Sequence, residues 1–347
     1  MAIQIDRALT SVHVTQDEEQ QMEVSPFSSE RSLRPERFED YPGQTFAKEN
    51  LKIYVQAALS RKKPLDHVIL HGPPGLGKTT LAHILAHELE VPFCSTSAPS
   101  IEKAGDLAGI LAGLESSTLL FIDEIHRLSI QVEELLYSAM EDFALDVLVG
   151  QGPTTRSVRV PIRPFTLVGA TTKLSLLSRP FLNRFGIQER LDYYDEEALL
   201  EILMRSAEVL GLTLSIRGGQ ELAKRSRGTP RIANRLLRRV WDFSQISEKG
   251  SIDQELVEYA LGRLDIDYLG LDRTDREILR ILTERYAGGP VGIETLAATV
   301  GEDRSTLEEV YEPFLVYKGL LSRGPRGRSL TSLGKEHVMN FSKMTIR

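Results

Sequence analysis

The segment Gly72-Pro-Pro-Gly-Leu-Gly-Lys-Thr79 fits the spacing G-x-x-x-x-G-K-[ST]. Glycines at these intervals let successive backbone N–H groups turn inward around phosphate oxygens, and a following helix N-terminus adds a favourable field for negative charge. Lys78 then reaches the β- and γ-phosphates, and the Thr79 hydroxyl ligates Mg²⁺. A second element, Leu119-Leu-Phe-Ile-Asp-Glu124, has four apolar residues that predict a buried strand delivering two acids to its carboxyl end. Ligands of open α/β sheets bind at that end. The chemistry casts Asp123 as a water-mediated partner of Mg²⁺ and Glu124 as the general base on an attacking water. Together the two elements predict binding and hydrolysis of ATP with Mg²⁺. A nucleotide-gated scaffold without turnover has no physical need for the water-polarising acid.

Further groups follow in chain order. Thr171-Thr172 ends an apolar strand and offers a hydroxyl near the γ-phosphate or lytic water. Arg184, in Asn183-Arg-Phe-Gly186, is a cation for a neighbouring subunit's nucleotide. Gly228-Thr-Pro-Arg231 opens a helix with an arginine facing the phosphates from the other side.

The elements that position these groups alternate. His67–Leu70, Leu119–Ile122 and Phe165–Val168 are short apolar runs, expected as core strands. Helices are expected over Thr79–Leu89 and Ile130–Phe143, with apolar positions on one face. Leu145–Val149 and Ser157–Ile162, separated by Gly150-Gln-Gly-Pro153, predict a β-hairpin. Alternating strand and helix imply a mostly parallel sheet covered on both faces, an α/β fold. After Tyr194 the pattern turns helical, over 195–210, 218–227, 230–247 and 253–263, as an all-helical lid. A third unit has helices near 272–286 and 293–300, then one opened by the capping pattern Ser305-Thr-Leu-Glu308. The glycine-rich hairpin Ser322–Arg328 completes the layout of a winged helix. The division expected is a tail over 1–30, a large ATPase domain over 31–194, a lid over 195–265 and a winged-helix domain over 266–347.

Composition narrows the class. The chain has 347 residues and a net charge of −7, too acidic overall for a protein that coats nucleic acid. The charge is uneven: residues 1–30 carry six acids against one arginine, and 322–347 carry six Lys/Arg against one Glu. No run approaches the ~18–20 apolar residues of a membrane helix. The polar, acidic N-terminus lacks the features of a signal peptide, so a cytoplasmic location is expected. A single cysteine, Cys94, excludes an internal disulfide or Cys-based metal cluster and is expected in a core.

The motifs GPPGLGKTTLA (72–82), LFIDEIHRL (120–128), LVGATT (167–172), NRFG (183–186) and RGTPRIANRLLRR (227–239) resemble the AAA+ ATPases, and within them the RuvB branch-migration motors. The likeness also covers EKAGDLA (102–108), GGPVG (288–292) and PRGR (325–328), from about Leu33 to Arg328. It implies a homohexameric ring that hydrolyses ATP at subunit interfaces and pumps duplex DNA through a four-way junction. A RuvA-like protein would hold the junction, gripped by the 145–162 hairpin, with a RuvC-like resolvase as a further partner. A purely structural hairpin is the alternative. The resemblance further implies adenine-side contacts at Leu33 and Arg34, and a phosphate cradle of Gly75, Gly77, Lys78, Thr79 and Thr80. Glu141, Asp142 and Phe143 match a stretch near the nucleotide. Thr172 falls in the LVGATT segment, Arg184 is similar to the trans-acting finger, Tyr194 to a further nucleotide contact and Arg231 to the sensor on the lid.

Two positions depart from the family pattern. Lys173 stands where an arginine usually follows GATT, keeping charge but losing a planar fork. Leu182 replaces one of two arginines in the finger segment, leaving Arg184 as the finger candidate there. In the third unit, Arg304 at the recognition helix and Arg323, Arg326 and Arg328 on the wing are expected to contact DNA phosphates. A winged helix that binds protein is the alternative at that end. For the whole chain the alternative is a clamp-loader-like or protein-remodelling AAA+ ATPase.

Overall fold

The computed structural model describes residues 33–149, 156–246 and 250–345, so the acidic tail and the 150–153 hairpin loop lie outside the described residues. Five parallel strands form the central sheet: β1 Val68–His71, β2 Phe93–Ser97, β3 Leu119–Asp123, β6 Thr166–Thr171 and β7 Ile187–Arg190. Their spatial order is β2-β3-β6-β1-β7. Side-chain alternation divides each central strand between two cores, as the pleat requires. Val68 and Leu70, Leu119 and Phe121, and Val168 and Ala170 face one core; Ile69, Leu120, Ile122 and Leu167 face the other. The first core is covered by α1 Thr45–Arg61 and α2 Lys78–Glu88, the second by α3 Ala104–Gly113, α4 Ile130–Asp142 and α5 Arg179–Leu182. Cys94 packs half-buried against the second core.

The antiparallel hairpin pairs β4 Ala144–Val149 with β5 Arg156–Pro161, Ala144 opposite Pro161. Leu145 is buried in the second core, whereas Val158 and Val160 on the other strand are exposed.

Four lid helices follow: α6 Glu196–Val209, α7 Ile216–Arg225, α8 Pro230–Ile246 and α9 Gln254–Arg263. Three begin at a side chain that accepts a first-turn N–H: Asp195 from Ala198, Ser215 from Gly218 and Asp253 from Leu256. Their buried leucines join the first core, so lid and sheet share one apolar interior.

The third unit has its own core. It is built by α10 Arg273–Tyr286, α11 Ile293–Val300, α12 Arg304–Thr306, a π-turn over Leu307–Tyr311, α13 Glu312–Tyr317, strands β8 Leu321–Gly324 and β9 Gly327–Leu330, and α14 Ser332–Thr345. The capping box expected at Ser305 does not form. The helix is capped two residues earlier, at Asp303, and the Glu308 carboxylate is drawn instead to Arg304 and Arg328. Contacts through Arg227, Tyr193 and Lys173 are among those that seat this unit on the rest. Arg227, just before α8, pairs with Asp275 at 3.0 Å and stacks over Phe314 at 4.3 Å. The rings of Tyr193 and Tyr317 lie 4.3 Å apart. Lys173 pairs with Glu309 at 2.6 Å.

Candidate active site

Parallel register brings the chemistry together. In β1 and β6, His71 lies opposite Thr171, and in β3 and β6, Ile122 lies opposite Gly169. The carboxyl ends of three adjacent strands therefore carry the Gly72–Thr79 loop, Asp123-Glu124 and Thr171-Thr172 at one sheet edge. They open onto a cleft of about 480 Å³ between sheet and lid, within the usual range for small-molecule sites.

The loop is shaped by backbone that only glycine adopts readily. At Gly77, φ is +92°, and a Cβ there would meet the Tyr41 hydroxyl at 2.9 Å. Gly77 also caps α2, whose first residues are Lys78, Thr79 and Thr80. Lys78 is only 8% exposed, and its Nζ donates to the carbonyls of Gly72 and Pro73, each at 2.9 Å. Burial pulls its pKa down to about 8 against the opposing pull of Asp123 and Glu124. An anion bound beside this ammonium restores the charge that burial disfavours.

Asp123 Oδ1 accepts the Glu124 N–H at 2.9 Å. Glu124 has left-handed backbone, φ +51°, an unusual state for a non-glycine residue that surrounding structure must enforce. Its Oε2 lies 3.5 Å from His126 Nε2. The Thr171 hydroxyl is buried on His126 Nδ1 at 2.9 Å, whereas Thr172 lines the cleft. The Thr79 hydroxyl and Asp123 carboxylate line the same cleft as hard oxygen donors. Among the described residues no cluster of three or more His, Cys, Asp or Glu forms a metal cage. One or two protein oxygens supplemented by phosphate and water suit Mg²⁺, so the residues present fit that ion.

Of the residues expected from the sequence, Leu33, Arg34, Gly75, Gly77, Lys78, Thr79, Thr80, Asp123, Glu124, Thr172, Tyr194 and Arg231 line this cleft. The Tyr194 hydroxyl meets that of Tyr41 at 2.9 Å, and burial pushes its pKa up to about 12. The Arg231 N–H donates to the Gly75 carbonyl at 3.4 Å, joining lid to loop.

Glu141, Asp142 and Phe143 do not line it. Glu141 pairs with Arg184 at 2.8 Å, Asp142 pairs with Arg159 at 2.6 Å, and Phe143 packs against Phe165 and His67. Arg184 also stacks on Tyr137 and hydrogen-bonds its hydroxyl, which raises the guanidinium pKa. All four expected residues thus lie outside the cleft lining: Arg184 with Glu141 and Tyr137, Asp142 with Arg159, and Phe143 in an aromatic cluster. Leu182 packs against the second core.

Arg328 also departs from expectation. It is 8% exposed, with Nε 2.9 Å from Glu312 and Nη2 3.0 Å from Glu308, so it ties the wing to α13 and is not available at the surface. Gly327 is there for the same packing: a Cβ at its φ of +126° would strike the Val291 carbonyl at 2.2 Å. Arg304 is exposed and pairs with Glu294 and Glu308; Arg323 is exposed 3.5 Å from Glu312.

The sequence reading missed Tyr41 and Arg205; it takes the basic run Lys224–Arg239 as ring-interface and nucleotide chemistry without singling out Asn234, Arg235, Arg238 and Arg239, which also line the cleft. Arg231, Arg235 and Arg238 follow i, i+4, i+7 spacing, a one-face helical signal that would have revealed them.

Residues 33–191 match the family description "Holliday junction DNA helicase RuvB P-loop domain", 194–267 match "RuvB AAA lid domain" and 268–339 match "RuvB C-terminal winged helix domain". The chain is similar to the Holliday junction branch migration complex subunit RuvB of Bdellovibrio bacteriovorus, 52% identical over 322 residues that cover 92% of this chain and 98% of that one. It is 53% identical over 319 residues to the subunit of the same name from Staphylococcus aureus, covering 92% and 96%. The structure of the Thermotoga maritima RuvB Holliday junction branch migration motor aligns with a TM-score of 0.80 at 47% identity, over 89% of this chain and 98% of that one. The chain belongs to the RuvB family of AAA+ ATPases.

Proposed function

We propose that this chain is the ATP-hydrolysing motor of a branch-migration complex, working as a homohexameric ring that moves duplex arms of a four-way DNA junction. The observation that carries the reading is the cleft itself: the Lys78 ammonium and the Glu124 carboxylate open onto one space, beyond the ends of β1 and β3 on either side of β6. On binding, triphosphate oxygens replace the two loop carbonyls that Lys78 now holds. Arg231 approaches from the lid. Thr79 and Asp123 would hold Mg²⁺, which would supply neutralisation of phosphate charge. Glu124 accepts a proton from water as its oxygen bonds to the γ-phosphorus, the bond to the β–γ bridging oxygen breaks, and ADP leaves with that electron pair. Thr172 orients the water. Arg184, outside the cleft lining with Glu141, serves a neighbouring subunit's nucleotide as a trans-acting finger.

A RuvA-like partner bound at the 144–161 hairpin suits the exposed Val158 and Val160, which face no core of this chain. In the winged-helix unit, the exposed Arg326 is the phosphate contact, joined by Arg323 where DNA draws it from Glu312, while Arg328 positions the wing.

The test is junction dissociation with and without a RuvA-type protein, run beside ATPase assays with and without four-way DNA. Wild type dissociates junctions and is stimulated by them. Lys78→Ala and Glu124→Gln lose turnover by about 10²-fold or more. Mixing Arg184→Ala with Lys78→Ala subunits restores part of the activity at mixed interfaces. ATPase indifferent to junction DNA would point to the protein-remodelling alternative, and no recovery on mixing would remove the trans finger.

A further inference from the structure

His126 sits in a short turn, Ile125–Arg127, that folds back directly after Glu124. The Arg127 N–H donates to the Glu124 carbonyl at 2.8 Å, closing the turn on a residue whose backbone is already left-handed. The result brings the imidazole to face the carboxylate two residues earlier, with Nε2 3.5 Å from Glu124 Oε2. That is ion-pair distance but longer than a hydrogen bond, so a closure of less than ~1 Å makes the bond. The His126 side chain is 6% exposed, against 38% for Glu124.

The other ring nitrogen fixes the proton. Nδ1 lies 2.9 Å from the Thr171 hydroxyl, and that oxygen already accepts the Lys173 N–H at 2.9 Å. The oxygen could accept a second N–H, but the buried hydroxyl also has its own proton to place, and Nδ1 is the acceptor within reach among the described residues, so that proton points to Nδ1. Nδ1 then accepts, and the ring proton is on Nε2, facing Glu124. The opposite tautomer would set an Nε2 lone pair against a carboxylate. Burial lowers the ring's pKa, with Glu124 and Glu309 opposing and Lys173 and Arg127 reinforcing the shift, a direction that favours the neutral imidazole.

We propose that His126 is a positioning residue for Glu124: its Nε2–H, held in place by the Thr171 hydroxyl, aims the carboxylate at the water in the cleft. His126 keeps its proton throughout; the proton from water goes to Glu124. Glu124 needs such a partner because its carboxylate, 38% exposed, is not held by burial alone. The inference rests on the reading of Glu124 as general base.

The test uses the full-length chain with Mg·ATP and duplex DNA, measuring kcat, KM and nucleotide affinity separately. His126→Leu lowers kcat ~10–100-fold, as loss of an orienting partner typically does, with affinity within about twofold of wild type. His126→Gln, whose amide N–H reaches the same carboxylate, recovers most of that loss. Thr171→Val lowers kcat because the tautomer is no longer fixed, and Thr171→Ser restores it. Wild-type kcat in His126→Leu overturns the proposal. So does a variant pair in which Gln is no better than Leu and affinity falls with kcat, because that pattern belongs to a packing role. Glu124→Gln is assayed in parallel. If it turns over normally, the underlying reading of the cleft fails; if it is inactive while His126→Leu is normal, only this inference fails.

Discussion

The nucleotide cleft and the winged-helix unit each gather arginines, and they treat them in opposite ways. In the cleft, no carboxylate among the described residues pairs with Arg34, Arg231 or Arg235, and of its lid arginines Arg239 pairs with Asp242 at 2.9 Å. In the winged helix, Arg304, Arg323 and Arg328 each have a glutamate of the same unit within 3.5 Å. Either side of the Gly228-Thr-Pro230 turn the contrast narrows to four residues. Arg227 turns into the third unit and is buried against Asp275, while Arg231 turns to the phosphate loop and stays exposed. Like charges gathered without internal counter-charge raise the local potential and favour an external anion. Arginines already neutralised build structure first. The cleft is therefore charged to favour an external anion, whereas the wing keeps only a few cations unpaired.

The largest effect that sharpens this contrast is on stability. Arg328→Met leaves Glu312, 6% exposed, without its buried partner. Removing one member of such a pair costs about 3–5 kcal/mol. The third unit should melt earlier by calorimetry, with nucleotide affinity unchanged. A variant that melts with wild type would show that the pair is not structural.

Arg231→Ala should do the reverse. Losing a charge-assisted contact is worth about 1.5–3 kcal/mol, roughly 10–150-fold in ATP affinity, at unchanged melting temperature. Fluorescent-nucleotide titration reads the first and calorimetry the second. Unchanged affinity would mean the uncompensated charge of the cleft serves something other than the nucleotide.

Asp275 tests the buried side through pH. It is fully buried, and burial pushes its carboxyl up to about 7, with Arg227 opposing and Asp272 adding to the rise. Between its ordinary value near 3.8 and about 7, the folded chain holds a proton that the unfolded chain has lost. Stability from this group therefore falls as pH rises through that window. Asp275→Asn removes the titration, so the wild-type minus variant difference in melting temperature should decline from pH 5 to pH 8. Parallel curves would mean the carboxylate stays ionised against Arg227 throughout.

Legibility followed how local each feature is. The phosphate loop and the Asp123-Glu124 strand end were readable because consecutive residues set both structure and chemistry. The lid helices were readable within about two residues because Asp195, Ser215 and Asp253 mark their starts. The edge strands β2 and β7 carry polar residues such as Ser95 and Gln188 and give no apolar run. Ser305 and Glu308 have capping spacing, but a buried arginine twenty residues later claims the glutamate. The same non-locality hid the inward turn of Arg328, the pairing of Glu141 with Arg184, and the link of His126 to Thr171. Each depends on a partner that the fold, not the neighbouring sequence, supplies.

The smallest effect tests the wing most directly. Arg326 sits exposed in the turn between β8 and β9, and no carboxylate among the described residues pairs with it. Arg304 is exposed too, but holds Glu294 at 2.8 Å and Glu308 at 3.2 Å. If internal pairing sets which arginines neutralise phosphates, Arg326→Ala should reduce the log–log salt slope of duplex binding by about 0.9, the loss of one phosphate contact. Arg304→Ala should leave the slope nearly unchanged, because it removes a cation whose charge the unit already balances. Exposed ion pairs are individually weak, about 0–1 kcal/mol, so DNA has the energetic means to take Arg304 from its glutamates. Equal slope losses in the two variants would show that it does, and the contrast between cleft and wing would then describe the free chain but not the bound one.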